Sequence, residues 1–177
     1  MSDRTAPQHH VLSVLVENRF GVLTRIAGLF ARRGFNIYSL AVSPTDDDRF
    51  SRMTIVVDAE STPLEQVSKQ LHKLINVLKI NEIEAGEGVE QELMMVAVKA
   101  SPESRAQVTE LASIFDAKII DVGYDAMTLS ITGTPDQLDS FMDLLVPFRI
   151  VDLQRTGRIA LPKLHKQAPS LRSVKTA

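Results

Sequence analysis

Asn18-Arg19-Phe20-Gly21-Val22-Leu23-Thr24-Arg25-Ile26-Ala27-Gly28-Leu29-Phe30-Ala31-Arg32-Arg33-Gly34-Phe35-Asn36-Ile37 reads as a loop, a helix and the start of a strand. Val22, Leu23, Ile26, Ala27 and Phe30 recur at helical spacing and form one apolar face. Gly34 follows the basic pair Arg32-Arg33, where a helix C-terminus favours cations and a left-handed residue. The apolar run Val11 to Val16 lies directly ahead and reads as a strand buried on much of both faces. A strand that feeds a glycine loop and opens a helix leaves backbone N–H groups aimed at the loop, which suits a carboxylate. A tight turn that needs Gly21 for its backbone angles accounts for the same residues. The loop lacks the further glycines of a dinucleotide fingerprint.

Outward from this stretch the elements alternate. Val11 to Glu17 is a strand, Val22 to Arg33 a helix, and Asn36 to Ser43 a strand ending at Pro44. The acidic turn Thr45 to Asp48 leads into a strand over Ser51 to Asp58, making a hairpin. Thr62-Pro63-Leu64-Glu65 carries the threonine cap, first-turn proline and third-position glutamate of a helix start. Leu64, Val67, Leu71, Leu74 and Ile75 give that helix a buried face, and Val77 to Glu84 is the next strand. The order is βαββαβ. Gly86-Glu87-Gly88 reads as a linker.

The same order then returns. Leu93 to Lys99 is a strand, and Val108, Leu111, Ala112 and Phe115 mark a helix face. Lys118 to Val122 and Met127 to Ile131 flank a turn at Gly123-Tyr124-Asp125. Thr134-Pro135-Asp136-Gln137 repeats the capping signature ahead of Leu138, Phe141, Met142 and Leu145. Pro147 ends that helix, and Arg149 to Arg155 closes the plan. The fold class predicted is α+β, with two ferredoxin-like βαββαβ sandwiches in tandem over residues 9–85 and 92–160. Residues 161–177, basic and without an acid, are predicted to form a mobile tail.

The 177 residues suffice for one domain or two small ones, and a hydrophobic share of 44% supports a real core. A net charge of −2 gives no general field toward nucleic acid or an anionic membrane. Aromatic residues make up 5%, too few for the base-stacking strands of an RNA-binding sandwich. No cysteine is present, which removes a disulfide framework, a thiol nucleophile and a cysteine metal site, and fits a cytoplasmic location. No apolar run approaches the roughly 20 residues of a membrane span, and Met1 to Gln8 lacks a signal-peptide core.

No catalytic or metal-ligating constellation emerges. Asp46-Asp47-Asp48 reads as a solvated turn. His9, His10, His72 and His165 show no nucleophile or carboxylate partner in the sequence. The second half lacks the helix-start loop, since Ala100 to Arg105 has no glycine and places Glu103 where an anion would sit. Any ligand site therefore belongs to the N-terminal half.

Three groups of residues carry a family resemblance. Leu12 to Asn18, then Gly21 to Arg25, then Arg33 to Ile37 resembles the ACT domain of the small, regulatory subunit of acetolactate synthase (acetohydroxyacid synthase). Ser51 to Ile55, Lys69 to Leu74 and Ile119 to Val122 add to it, so the resemblance spans about residues 9 to 160. It implies an ACT domain over residues 9–85 and a non-catalytic, cytoplasmic subunit of bacterial type. It further implies a homodimer through the ACT domains that binds the large catalytic subunit, raises its activity and confers feedback inhibition by valine. Thiamine diphosphate, magnesium and FAD would belong to that partner, with no cofactor in this chain. The family's effector site maps onto Asn18, Gly21, Val22 and Leu23 of one protomer, with Asn36 and Ile37 from the other. On that mapping the effector carboxylate takes helix-start N–H groups, and the asparagine oxygens or nearby carbonyls accept from its ammonium. Its isopropyl group rests on Leu23 and Ile37. Without the resemblance, Asn36 reads as a helix-to-strand turn residue and Leu23 and Ile37 as plain core. Phe20 is bulkier than the pattern and the basic tail is longer. A freestanding amino-acid sensor acting on another enzyme or regulator is the alternative function.

Overall fold

The computed structural model describes residues 9–58 and 64–164. In chain order these form β1 (His9–Glu17), α1 (Val22–Arg33), β2 (Ile37–Pro44), β3 (Phe50–Asp58), α2 (Leu64–Leu71) and β4 (Val77–Ile83). The second half contains β5 (Gly88–Lys99), α3 (Arg105–Ile114), β6 (Lys118–Val122), β7 (Ala126–Gly133), α4 (Pro135–Leu145), β8 (Ile150–Arg155) and β9 (Ile159–Pro162). Antiparallel sheets of order β2-β3-β1-β4 and β6-β7-β5-β8 confirm the tandem ferredoxin-like plan.

Local chemistry sets the bounds of α1. Gly21 ahead of it and Gly34 behind it are both left-handed, at φ 82° and 70°, a conformation glycine adopts without a Cβ penalty. At the C-terminus the Gly34 N–H donates to the Ala31 carbonyl and the Phe35 N–H to the Phe30 carbonyl. The Phe35 ring meets Phe30 edge-on at 6.0 Å, the apolar contact that accompanies this double bond. In α4 the predicted capping box is present: the Gln137 N–H donates to Thr134 Oγ1, and the Thr134 N–H to Gln137 Oε1.

Each half has its own core. Leu12, Val14 and Val16 of β1 and Met53, Ile55 and Val57 of β3 pack on Ile26 and Phe30 of α1 and on Val67 and Leu71 of α2. Met94, Val96 and Val98 pack on Val108, Leu138 and Phe141 in the second half. The alternate residues of β1 and β3 face away from the helices. There Val11, Val56 and Ile83 bury Ala160 of β9, joining the halves.

Several expectations need correction. β5 begins at Gly88, not Leu93, because its first four residues pair with β9. Leu161 and Pro162, expected in the tail, are in β9, and the Lys163 N–H still donates to the Glu87 carbonyl. The pairing supplies backbone partners that residues 159–162 could not find locally. α2 ends at Leu71, followed by tight turns through residues 70–77, so Ile75 is 86% exposed while Leu74 still packs on the core. His9 starts β1 instead of fraying: it stacks on Tyr38 at 4.1 Å and lies 3.4 Å from the Asp58 carboxylate. The expected Thr62-Pro63 cap lies outside the described residues, as do His165 and the rest of the expected tail.

Candidate effector site

The loop from Asn18 to Gly21 is held on two sides. The Asn18 backbone N–H donates to the Arg49 carbonyl at 2.7 Å, and its side-chain Nδ2 to the Asp48 carbonyl at 2.9 Å. These bonds tie the loop to the acidic turn, and among the described residues the Asn18 side-chain oxygen is an open acceptor. On the other side Arg25 donates to Asn76 Oδ1 at 2.8 Å, and Asn76 donates to the Glu17 carboxylate at 2.6 Å. The acidic turn is itself stiff: Arg49 donates to both carboxylate oxygens of Asp47, and that side-chain bonding holds the Asp47 pKa down at about 2.

Gly21 accepts the first helical bond, from the Arg25 N–H at 3.0 Å, and no side chain caps the helix. The Val22 N–H turns back to the Arg19 carbonyl at 3.3 Å. Among the described residues nothing accepts from the Leu23 and Thr24 N–H groups, so the first turn presents open donors at the positive end of the helix dipole. A Cβ built on Gly21 meets nothing within 4 Å, so the approach is clear.

The six predicted residues fall into two groups. Asn18, Gly21, Val22 and Leu23 gather at the start of α1. Asn36 and Ile37 lie beyond its other end, about 18 Å away along a 12-residue helix. Within the first group Val22 is buried with its side chain in the core, so only its backbone faces the loop; Leu23 is 47% exposed and available. Ile37 packs partly against the core, and Asn36 donates to Asp58 Oδ2 at 2.8 Å, its side-chain oxygen having no donor among the described residues. Phe20 is wholly exposed beside the loop. Asp48, Arg49 and Asn76, which position the loop, are separated from it in sequence and carry no motif that points to them.

Comparison with known proteins identifies the fold's family. A family model described as the AHAS small subunit-like ACT domain matches residues 12–79, and one described as the small subunit of acetolactate synthase matches residues 91–164. The acetolactate synthase small subunit of Mycobacterium avium is 53% identical over 142 residues, 80% of this chain and 85% of that one. That of Mycolicibacterium smegmatis is 46% identical over 154 residues, 87% of this chain and 91% of its own length. The chain belongs to the acetolactate synthase small-subunit family. The crystal structure of the acetolactate synthase small subunit from Thermotoga maritima superposes with a TM-score of 0.82 at 34% identity, covering 89% of this chain and 98% of that one. This small subunit is thus a regulatory, non-catalytic member of its complex with an ACT domain in its first half. Among the described residues no group of three or more acids and histidines is arranged to hold a metal, and no helix is long and apolar enough to cross a membrane.

Proposed function

We propose that this subunit activates the thiamine-diphosphate-dependent catalytic subunit of acetolactate synthase in the cytoplasm and confers feedback inhibition by valine. The start of α1 carries this reading: a left-handed glycine, uncapped first-turn N–H groups and a clear approach in a loop held rigid on both sides. The effector carboxylate takes the Leu23 and Thr24 N–H groups, its ammonium the Asn18 and Asn36 oxygens, and its branched side chain Leu23 and Ile37. Thiamine diphosphate, magnesium and FAD belong to the partner.

Because the two groups of residues lie at opposite ends of α1, one pocket needs the helix start of one copy and the helix end of another. A two-fold dimer makes that contact twice, giving two equivalent valine sites. β2, an edge strand with Tyr38 and Val42 exposed, is the face for pairing. Sedimentation at micromolar concentration should show a dimer that binds one valine per chain; a strict monomer with and without valine would overturn this arrangement.

Reconstitution tests the function. The purified chain should form no acetolactate from pyruvate, and adding it to the catalytic subunit should raise the rate and make it valine-sensitive. Turnover by the chain alone, or a partner indifferent to it, would refute the proposal.

A further inference from the structure

On the face of the first sheet away from its helices, a groove of about 560 Å³ runs between β2 and β3 on one side and β5 and β9 on the other. Its volume is that of a small-molecule site. Val89, Ile159 and Leu161 line it and are 54%, 56% and 56% exposed. Three large apolar side chains more than half open to water on one wall are a feature that folding alone does not require.

Arg52 stands in this wall with Thr54, alternating with the core residues Met53 and Ile55, so both face the groove side. Arg52 is partly buried and, among the described residues, donates one bond, to Ser13 Oγ at 3.2 Å. Among the described residues it has no carboxylate partner, whereas Arg155 and Arg158, also partly buried, hold Glu92 and Glu90. A guanidinium carries five N–H donors in a planar fork that matches a carboxylate. A cation with most of its donors unused, beside an exposed aliphatic wall, is complementary to a ligand with one acid group and a branched hydrocarbon body.

We infer that this groove binds a small aliphatic monocarboxylate, its carboxyl group on Arg52 and its hydrocarbon against Val89, Ile159 and Leu161. Asp46, exposed in the groove lining, opposes a second negative charge, which selects against dicarboxylates. None of the residues at the start of α1 lines the groove, so the site is separate from the proposed valine site. The two adjoin through one element: Thr45 and Asp46 line the groove, and the same turn supplies the Asp48 and Arg49 carbonyls that hold Asn18.

Isovalerate is the probe, since it has the aliphatic body and the acid but no ammonium for the asparagines. Titrated into the full chain and followed by calorimetry or amide NMR, it should bind saturably, and succinate should not. Arg52→Met keeps the apolar stem and should weaken binding at least about tenfold, the scale of one charge-assisted bond. Val89→Trp, at an exposed position, fills the groove with Arg52 intact and should weaken it as much. Absence of saturable binding at millimolar isovalerate, equal binding of succinate, or equal isovalerate binding by folded Val89→Trp protein would overturn the inference. If valine itself does not bind, loss of isovalerate binding in the two folded variants still upholds the groove, so the two sites fail independently.

Discussion

Gly21→Asp is expected to yield a folded subunit that still activates its partner and no longer transmits valine inhibition. A Cβ at Gly21 meets nothing within 4 Å, so the start of a side chain there has open space. The φ of 82° costs an L-residue about 1 kcal/mol. An acid beside an uncapped helix start recovers about 0.3–1 kcal/mol of that. Stability should therefore change little, while the carboxylate occupies the approach to the open N–H groups and repels an incoming one. Losing a charge-assisted bond costs about 1.5–3 kcal/mol, so half-inhibition should move to at least about tenfold higher valine. Gly21→Ala is the control, since it carries the same backbone cost without the charge and should keep much of the inhibition. By linkage, valine inhibits only if it distinguishes the two states of the catalytic subunit, so activation and inhibition are separable. Valine titrations of the reconstituted complex decide the matter: an unchanged curve would remove this loop from the effector site, and joint loss of activation and inhibition would mean damage to the fold or the docking surface.

Arg155→Ala is expected to cost about 3–5 kcal/mol of stability, far more than an ordinary surface arginine. Its guanidinium spans Glu92 and Asp139, with 2.6 Å bonds to each, and Glu92 is only 8% exposed. Removing the cation leaves a buried carboxylate unpaired. Arg155→Met with Glu92→Leu removes both charges, and should recover most of the loss, because a well-packed apolar pair replaces a buried ion pair at little cost. For a chain of this size each kcal/mol moves Tm by about 2–4 °C, so the single variant should melt roughly 6–20 °C lower. Calorimetry of the two variants beside the unmodified chain gives the answer; a single variant within 2 °C, on the order of the smallest resolvable step, would mean that Glu92 finds water or another donor. The residues after Arg155 lead directly to the join between the halves, where the Arg158 N–H donates to Ser39 Oγ at 2.9 Å. Loss at Arg155 should therefore also loosen β9 and its contact with β2.

The sequence by itself determined the parts of this protein whose causes are local. α1 keeps its predicted limits because glycines at both ends take left-handed angles whatever surrounds them. The Thr134 box marks α4 because its partners are three residues apart. The apolar run of β1 reads as buried on much of both faces and is so. Helical spacing brings Val22, Ile26 and Phe30 of α1 to the core, though Leu23 and Ala27, expected on the same face, are exposed. The repeated element order carries the tandem sandwich. The helix-start half of the candidate site was legible for the same reason, being one contiguous loop. What only the tertiary structure decided depends on residues brought together from far along the chain. β9 is too short to declare itself and exists because the start of β5 offers it a partner. Glu92 and Arg155 are 63 residues apart, Asn18 and Asp48 30 apart, and no local pattern announces either pair. Ile75 looked like core until α2 ended at Leu71, and Arg52 looked like an ordinary strand residue until the sheet placed it in a groove with no carboxylate paired to it among the described residues. Sequence spacing sets which face a side chain takes on its own element; strand register and the packing of one half on the other set what that face meets.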